Sequence, residues 1–308
     1  MNQGMKLLDR GKLEAAYITY STIFDQELVN TKVIYPEIAT VISNAGPVNQ
    51  FNWLGDVPTM QKWLGMRIIN RLRAEKHTLV TDWYANGIEL DYDDLAEDKL
   101  GIVRPRIADL AKMGPKKIDA ITIDMYTNGF GGTLGTTYDG QYLFDVDHTA
   151  DGAGQGVSQS NYAGAVPLTS ASYNAAIAQM MGFVGTNGEP LEITPKTILV
   201  GIGNQLAVRQ LLQAQYGAAG ATNVDAGTSQ AIVNARIAGA KKNYWFLIAT
   251  DHSVRPVLVG VEVPPMFAEL SGWEQYHVFM HRAIMAGAHM KVGFAYGMWQ
   301  CAIGANPP

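Results

Sequence analysis

The stretch IELDYDDLAEDKLGIVRPRIADLAKMGPKKIDAITIDMYTNG, Ile88 to Gly129, changes its periodicity partway along. It opens as an extended segment, passes the acids Asp91, Asp93, Asp94, Glu97 and Asp98, and then turns helical. Apolar residues recur at Ile107, Leu110, Ala111, Gly114, Ile118, Ile121 and Met125, and steps of three and four keep them on one face. The acids lie near the N-terminal end of this tract, where the helix macrodipole favours negative charge. Pro105 and the pair Gly114-Pro115 interrupt the pattern. A proline inside a helix removes a donor and disfavours helical geometry at the residue before it, so a kink, or two helices end to end, is expected at Pro115. Gly129 ends the helix. The stretch reads as a spine with no chemistry of its own.

Upstream, residues 1 to 29 carry Leu7, Leu8, Leu13, Ala16, Tyr17, Tyr20, Phe24 and Leu28 at helical spacing, an amphipathic arm that must dock on something. Ser43 to Pro47 is a turn. Phe51 to Leu90 holds Trp53, Trp63 and Trp83, with turn signals at Gly55-Asp56, Pro58 and Asn86-Gly87. Arg67, Arg71 and Arg73 alternate with Met66, Ile68, Ile69 and Leu72, which reads as a strand or two-stranded projection with one wet face. A basic, aromatic excursion of that length reads as an arm lying over a neighbouring subunit.

Downstream, Tyr138 to Gln141 is a turn, Tyr142 to Val146 a short strand and Thr149 to Gly164 a polar loop. Helices are expected over Ser172–Phe183 and Asn204–Tyr216, with a buried strand over Thr197–Ile202. Gly217 to Gln230 reads as a mobile surface loop. Tyr244–Ala249 and Pro256–Val263 are strands. His277–Ile284 and His289–Tyr296 read as an antiparallel pair turning at Ala286-Gly287, followed by Met298–Ile303.

The 308 residues suffice for a real core in two subdomains or one elaborated domain. Charged residues make up 17%, against roughly 25% in ordinary soluble domains, while hydrophobic residues reach 47%. A shortage of surface charge suggests that much of the surface meets other protein. The net charge of −5 argues against a sequence-independent grip on nucleic acid. Cys301 is the single cysteine, which excludes an internal disulfide and fits a reducing compartment. No apolar run suits a membrane span, and the first residues lack a secretory signal, so a soluble protein made in a cytoplasm is expected.

Each motif with chemical overtones has a plainer reading. The glycines of Gly129 to Gly135 follow a helix and precede a turn, the reverse of a dinucleotide loop, so they read as a joint. Asp145, Asp147 and His148 lack a second ligand cluster and read as a turn-stabilising network. Thr250 to Ser253 contains Asp251 and His252 without a nucleophile elbow. Cys301 reads as a buried structural thiol on the last strand, and His277, His281 and His289 as core or interface histidines. The acids before the spine lack the glycine and spacing of a calcium hand. Arg67, Arg71 and Arg73 read as partners for carboxylates on a neighbour. No catalytic, cofactor or metal site emerges.

Three signatures in order, NWLGDVPTMQKWLGMRIINRL, IELDYDDLAEDKLGI and YDGQYLFDVDH, resemble the Mu-like major head subunit family of tailed bacteriophages over about Phe51 to His148. The resemblance implies an α+β chain of the tailed-phage and herpesvirus major capsid type. Mapped here, it implies an N-terminal arm at 1–50, an extended loop at 51–84 and a peripheral domain with the spine helix at 85–148. An axial domain then takes 149–250, and return strands take 251–308. It further implies self-assembly into hexamers and pentamers of an icosahedral shell, double-stranded DNA packaged without sequence-specific contact, and no membrane. A separate scaffolding protein, a portal and a decoration protein are the other partners it implies. Trp53 and Trp63, with Arg67, Arg71 and Arg73, are then the subunit-interface candidates, because aromatic and arginine side chains concentrate interface energy. Trp83 is a further anchor or a core residue of the peripheral domain. Two rivals keep the alternatives open: an encapsulin-like nanocompartment shell around cargo enzymes, and a metal-dependent hydrolase using Asp145, Asp147, His148 and His252.

Overall fold

The computed structural model describes residues 10–54, 74–91, 101, 103–150, 157–185, 188–216, 222–270, 280–281 and 283–308. In chain order the regular elements begin with helices α1 (Arg10–Asn30) and α2 (Tyr35–Ile38), then strands β1 (Ala39–Ser43), β2 (Val48–Leu54) and β3 (Ala74–Asp91), then helix α3 (Val103–Thr127). Short strands β4 (His148–Thr149), β5 (Ser158–Gln159) and β6 (Tyr162–Gly164) lead to α4 (Ser170–Met181), β7 (Thr197–Val200) and α5 (Gln205–Leu212). The chain closes with β8 (Gln230–Val233), β9 (Trp245–Ile248), β10 (Val257–Leu270), β11 (Ala283–Tyr296) and β12 (Ala302–Ala305).

The spine is one helix. Its backbone is helical from Val103 to Thr127 with Pro115 inside, so the expected break at Gly114-Pro115 does not occur. The helix tolerates a proline that would cost about 3 kcal/mol in an exposed helix because tertiary packing holds both of its ends. Val103, Ile107, Leu110 and Ala111 pack under α1, and Ile118, Ile123, Met125 and Tyr126 enter the main core. Gly114 is a contact rather than a hinge: a Cβ there would lie 3.0 Å from the ring of Pro265 on β10. Pro264 and Pro265 fall where the β10 register against β11 shifts, between Val263 and Met266. Prolines donate no ladder hydrogen bond and suit such a bulge.

Helix α1 docks on its own chain. Phe24 is fully buried and its ring stands 5.4 Å from that of Phe267 on β10. Tyr20, Val103, Ile107 and the β11 alanines 286 and 288 complete this small core. The linker after α1 is pinned by Asp119 of the spine, whose carboxylate accepts from the backbone N–H groups of Ile34 (3.0 Å) and Tyr35 (2.7 Å). Burial raises the Asp119 carboxyl above its ordinary value, and these two donors oppose the rise.

Two five-stranded sheets flank the spine. The first runs β1-β10-β11-β3-β2, with β1 and β10 parallel and the other pairs antiparallel. Two turn assignments fail here. Asn86-Gly87 and Ala286-Gly287 both lie inside long strands, and Gly87 pairs directly with Gly287. A Cβ on Gly287 would stand 2.9 Å from the Asn86 carbonyl oxygen, so close approach of β3 and β11 explains the glycine, not a reversal. The second sheet runs β6-β12-β9-β7-β8. Every residue of β7, β9 and β12 is buried, with Trp245, Phe246 and Trp299 among the largest side chains of the main core. Helix α4 starts with a capping box in which Thr169 and Ser172 satisfy each other's backbone N–H groups.

Between the spine and the second sheet, Tyr142 to Val146 is irregular rather than a strand; Leu143 and Phe144 are nonetheless buried, and the Phe144 N–H donates to Gly129 (2.9 Å). The polar loop of 149–164 contains β5 and β6. Within 222–230, Asp225 is buried and accepts from Ser170 and Asn174 of α4, which anchors a segment read as loose. Cys301 lies on a 3-10 turn just before β12 rather than on the strand itself.

Candidate subunit-interaction surface

Alternation along β3 and β11 divides the first sheet into two faces. Met290 and Val292 join the main core, on the side of Tyr84 and the spine. Trp83 and its cross-strand neighbour Lys291 point the other way. Trp83 is 61% exposed, with its ring 5.8 Å from that of His289 and 5.7 Å from the Lys291 ammonium. Lys291 donates to Glu262 at 2.8 Å, and the Thr81 hydroxyl donates to the same carboxylate. The Lys291 bond, followed by that of Thr81, holds the Glu262 carboxyl below its ordinary range. Met266 is opposite His289 in register and 49% exposed.

Beyond this aromatic and methionine shoulder, Gly87, Ala268 and Gly287 floor a hollow of about 450 Å³ closed by Glu89 and Met285. The face therefore offers an exposed indole, a thioether and bare backbone beside one fixed ion pair. Such a face can take up another protein surface, with the rigid aromatic supplying area at low entropic cost. Val48 and Val80, paired across β2 and β3, are exposed as well.

Of the sequence candidates, the backbone of Trp53 lies in β2 opposite Glu75, while its side chain is outside the described residues. Trp63, Arg67, Arg71 and Arg73 also fall outside them, as do His277 and most of the acids before the spine. What is described of the projection is its base: β2 and β3 pair antiparallel from Val48↔Val80 to Leu54↔Ala74. His289 sits beside Trp83, and His281 is exposed. Met266, Lys291 and Glu262 were missed. Their signal was the alternation on both sides of Pro264-Pro265, which the bulge puts out of step.

The residues of the hydrolase reading do not converge. Asp145 is half-buried and Asp147 exposed, and Asp251, next to His252, stands 4.0 Å from Lys196. No cluster of three metal-ligating side chains occurs among the described residues. His148 does belong to a turn-stabilising network, but with Asp139, which lies nearer the spine's end than the Asp145 and Asp147 read from sequence. The His148 Nδ1 is 2.7 Å from Asp139, which also accepts from the backbone N–H groups of Gln141 and Thr149. The His148 ring stacks on Trp299 at 4.4 Å and 10°. Burial pushes the Asp139 carboxyl up, yet the His148 bond and charge, with Thr137 and Gln141, bring it net below the ordinary value. Burial pushes the Cys301 thiol up to about 12, which leaves it an inert packed group. These are the properties of a latch on a fold.

A family model for the Mu-like prophage major head subunit gpT matches residues 13–167, 152–237 and 224–307. The Mu-like prophage FluMu major head subunit of Haemophilus influenzae is 23% identical over 290 residues, covering 94% of this chain and 71% of that protein. The major capsid protein of Escherichia phage Mu is 27% identical over 153 residues, 48% of this chain and 49% of that one. Among solved structures, a chain of the bacteriophage JBD30 procapsid superposes with a TM-score of 0.59 at 19% identity, over 98% of this chain and 77% of that chain. At that identity the likeness is one of fold, the α+β architecture of phage capsid proteins.

Proposed function

The chain belongs to the Mu-like prophage major head subunit family, and on that premise we propose that its copies form the hexamers and pentamers of an icosahedral phage head around double-stranded DNA. It is a structural head subunit and not an enzyme. The observation that carries the assembly reading is the outer face of the first sheet, where Trp83 and Met266 stand exposed over a glycine floor in a chain poor in surface charge. Many modest contacts of this kind, closed by symmetry, hold a shell that no single contact could.

In the same reading, 1–50 is an N-terminal arm, 51–84 the extended loop, 85–148 the peripheral domain, 149–250 the axial domain and 251–308 the return. A separate scaffolding protein, a portal and a decoration protein are its partners. The packaged DNA makes no sequence-specific contact, and a net charge of −5 lets it slide along the wall. Assembly takes place in the host cytoplasm, and the product is the virion. The nanocompartment rival has the weaker support, because the match to Mu-like head subunits extends over most of the chain.

Because Leu54 and Ala74 are already paired, residues 55–73 can be replaced by a two-residue Asn-Gly turn without disturbing the sheet. The expected outcome is a folded subunit, with a melting temperature near that of the full chain, that forms no closed shells by negative-stain electron microscopy. Normal shells from this variant refute the projection's role. Only monomers or dimers of the full chain, expressed alone and with its neighbouring genes, refute the proposed function.

A further inference from the structure

Where the segment leaving the spine meets the last turn of the chain, three side-chain atoms lie buried with no hydrogen-bond partner among the described residues: His148 Nε2, Trp299 Nε1 and Gln300 Oε1. His148 and Trp299 are completely buried, and Gln300 is 3% exposed. The three residues form one cluster. The His148 ring lies nearly parallel to that of Trp299, with centroids 4.4 Å apart. Gln300 follows Trp299 on the same 3-10 turn, and its amide nitrogen donates to the Tyr138 hydroxyl at 2.7 Å. Tyr138 precedes Asp139, whose carboxylate is 2.7 Å from His148 Nδ1. The backbone of the turn is held separately: Asn161 Nδ2 donates to the carbonyls of Leu143 (2.7 Å), Trp299 (3.1 Å) and Ala302 (3.2 Å).

A buried polar atom without a partner loses its hydration and gains nothing in return. Native interiors meet that need with ordered water, which typically makes about three hydrogen bonds to such atoms. The chemistry of the three atoms also selects their partner. The indole N–H only donates, so its partner must accept, and the amide oxygen only accepts, so its partner must donate. A metal ion or other cation fails the first condition, and a simple anion fails the second. Water meets both, and it either donates to His148 Nε2 or accepts from it, whichever form the imidazole takes.

We propose that this cluster is a binding site for one ordered water, which accepts from Trp299, donates to Gln300 and bridges both to His148. The water ties the segment after the spine to the turn that leads into β12, as Asn161 does through the backbone. It also holds the imidazole at its second nitrogen, so that the Asp139–His148 pair is fixed in orientation from both ends. The inference does not depend on the head-subunit reading, since every group in it belongs to one copy of the chain.

The test is an experimental structure of the full chain, as free subunit or as shell, at a resolution that shows ordered waters. The expected result is a solvent peak within about 3 Å of Trp299 Nε1, His148 Nε2 and Gln300 Oε1 together. No peak there, a peak that reaches fewer than all three atoms, or protein groups from elsewhere in the chain bonded to them, overturns the inference. Gln300→Met keeps the length of the side chain without its amide and is expected to lose the peak. Tyr138→Phe removes only the direct bond to Gln300 and is expected to keep it. A peak unchanged in Gln300→Met overturns the role of Gln300 and with it the three-way site. If that variant does not fold, the wild-type map decides alone.

Discussion

The two sheets are built on opposite terms. The second has strands of about four residues, and its three inner strands are buried on both faces among Trp245, Phe246, Ile248 and Trp299. The first has strands of up to 18 residues, one face on the spine and α1, the other presenting Trp83 and Met266. A buried sheet of short strands answers to the stability of the monomer. A long, half-covered sheet with an exposed aromatic answers to something outside the chain. The spine joins them: its first half belongs to the first sheet's core and its second half to the main core.

That contrast breaks most sharply in the second sheet. Phe246 is fully buried and stacks on Phe144 at 5.4 Å, with Tyr126 of the spine 5.7 Å away. Phe246→Ala is expected to cost about 3–5 kcal/mol, read as a lower urea midpoint of unassembled subunit, with shells lost because the subunit unfolds. A loss below about 1 kcal/mol would mean that this sheet is not the monomer's core.

The next effect is smaller and depends on pH. Asp139 latches the segment after the spine through His148 and two backbone donors. Its folded carboxyl lies below the unfolded value, so its contribution is complete above about pH 4 and fades as pH falls through the folded value. Asp139→Ala is expected to cost about 2–4 kcal/mol at neutral pH by leaving His148 buried without its partner. Asp139→Asn is expected to flatten the wild type's loss of stability below about pH 4. Parallel acid profiles of the two proteins would remove Asp139 from that role.

How far these features could be read from sequence depends on how local their causes are. The spine, α1, α4 and the buried β7 and β9 follow from periodicities carried within each segment, and all appear near their expected places. The dipeptides misled where a distant partner decides. Gly114-Pro115 reads as a break, but Pro265, some 150 residues away, turns it into a seat for the helix. Asn86-Gly87 and Ala286-Gly287 read as turns, but the two pair inside long strands, and the Asn86 carbonyl leaves no room for a Cβ on Gly287. The same holds for the interaction surface. Trp83 stood out as an aromatic near the projection, whereas Met266 joins it only through a β-bulge. Asp139 was passed over as a turn former because its partner's burial depends on Trp299 at the far end of the chain.

The smallest expected change in stability belongs to the residue with the most to say about the comparison. Trp83 loses little on truncation within the monomer, since it is 61% exposed, with His289 and Lys291 as the ring partners found among the described residues. Trp83→Ala is expected to shift the unassembled subunit by no more than about 0.5 kcal/mol. Buried against a neighbour, the same indole is worth about 2 kcal/mol or more per contact, and the contact repeats around every ring of the shell. Sedimentation should therefore show the variant mostly unassembled at concentrations where the wild type forms shells, while melting curves of the two nearly coincide. Trp83→Phe keeps an aromatic surface and should recover part of the assembly. If Trp83→Ala instead lowers stability and leaves assembly intact, the indole serves its own sheet, and the outer face loses its claim to be where subunits meet.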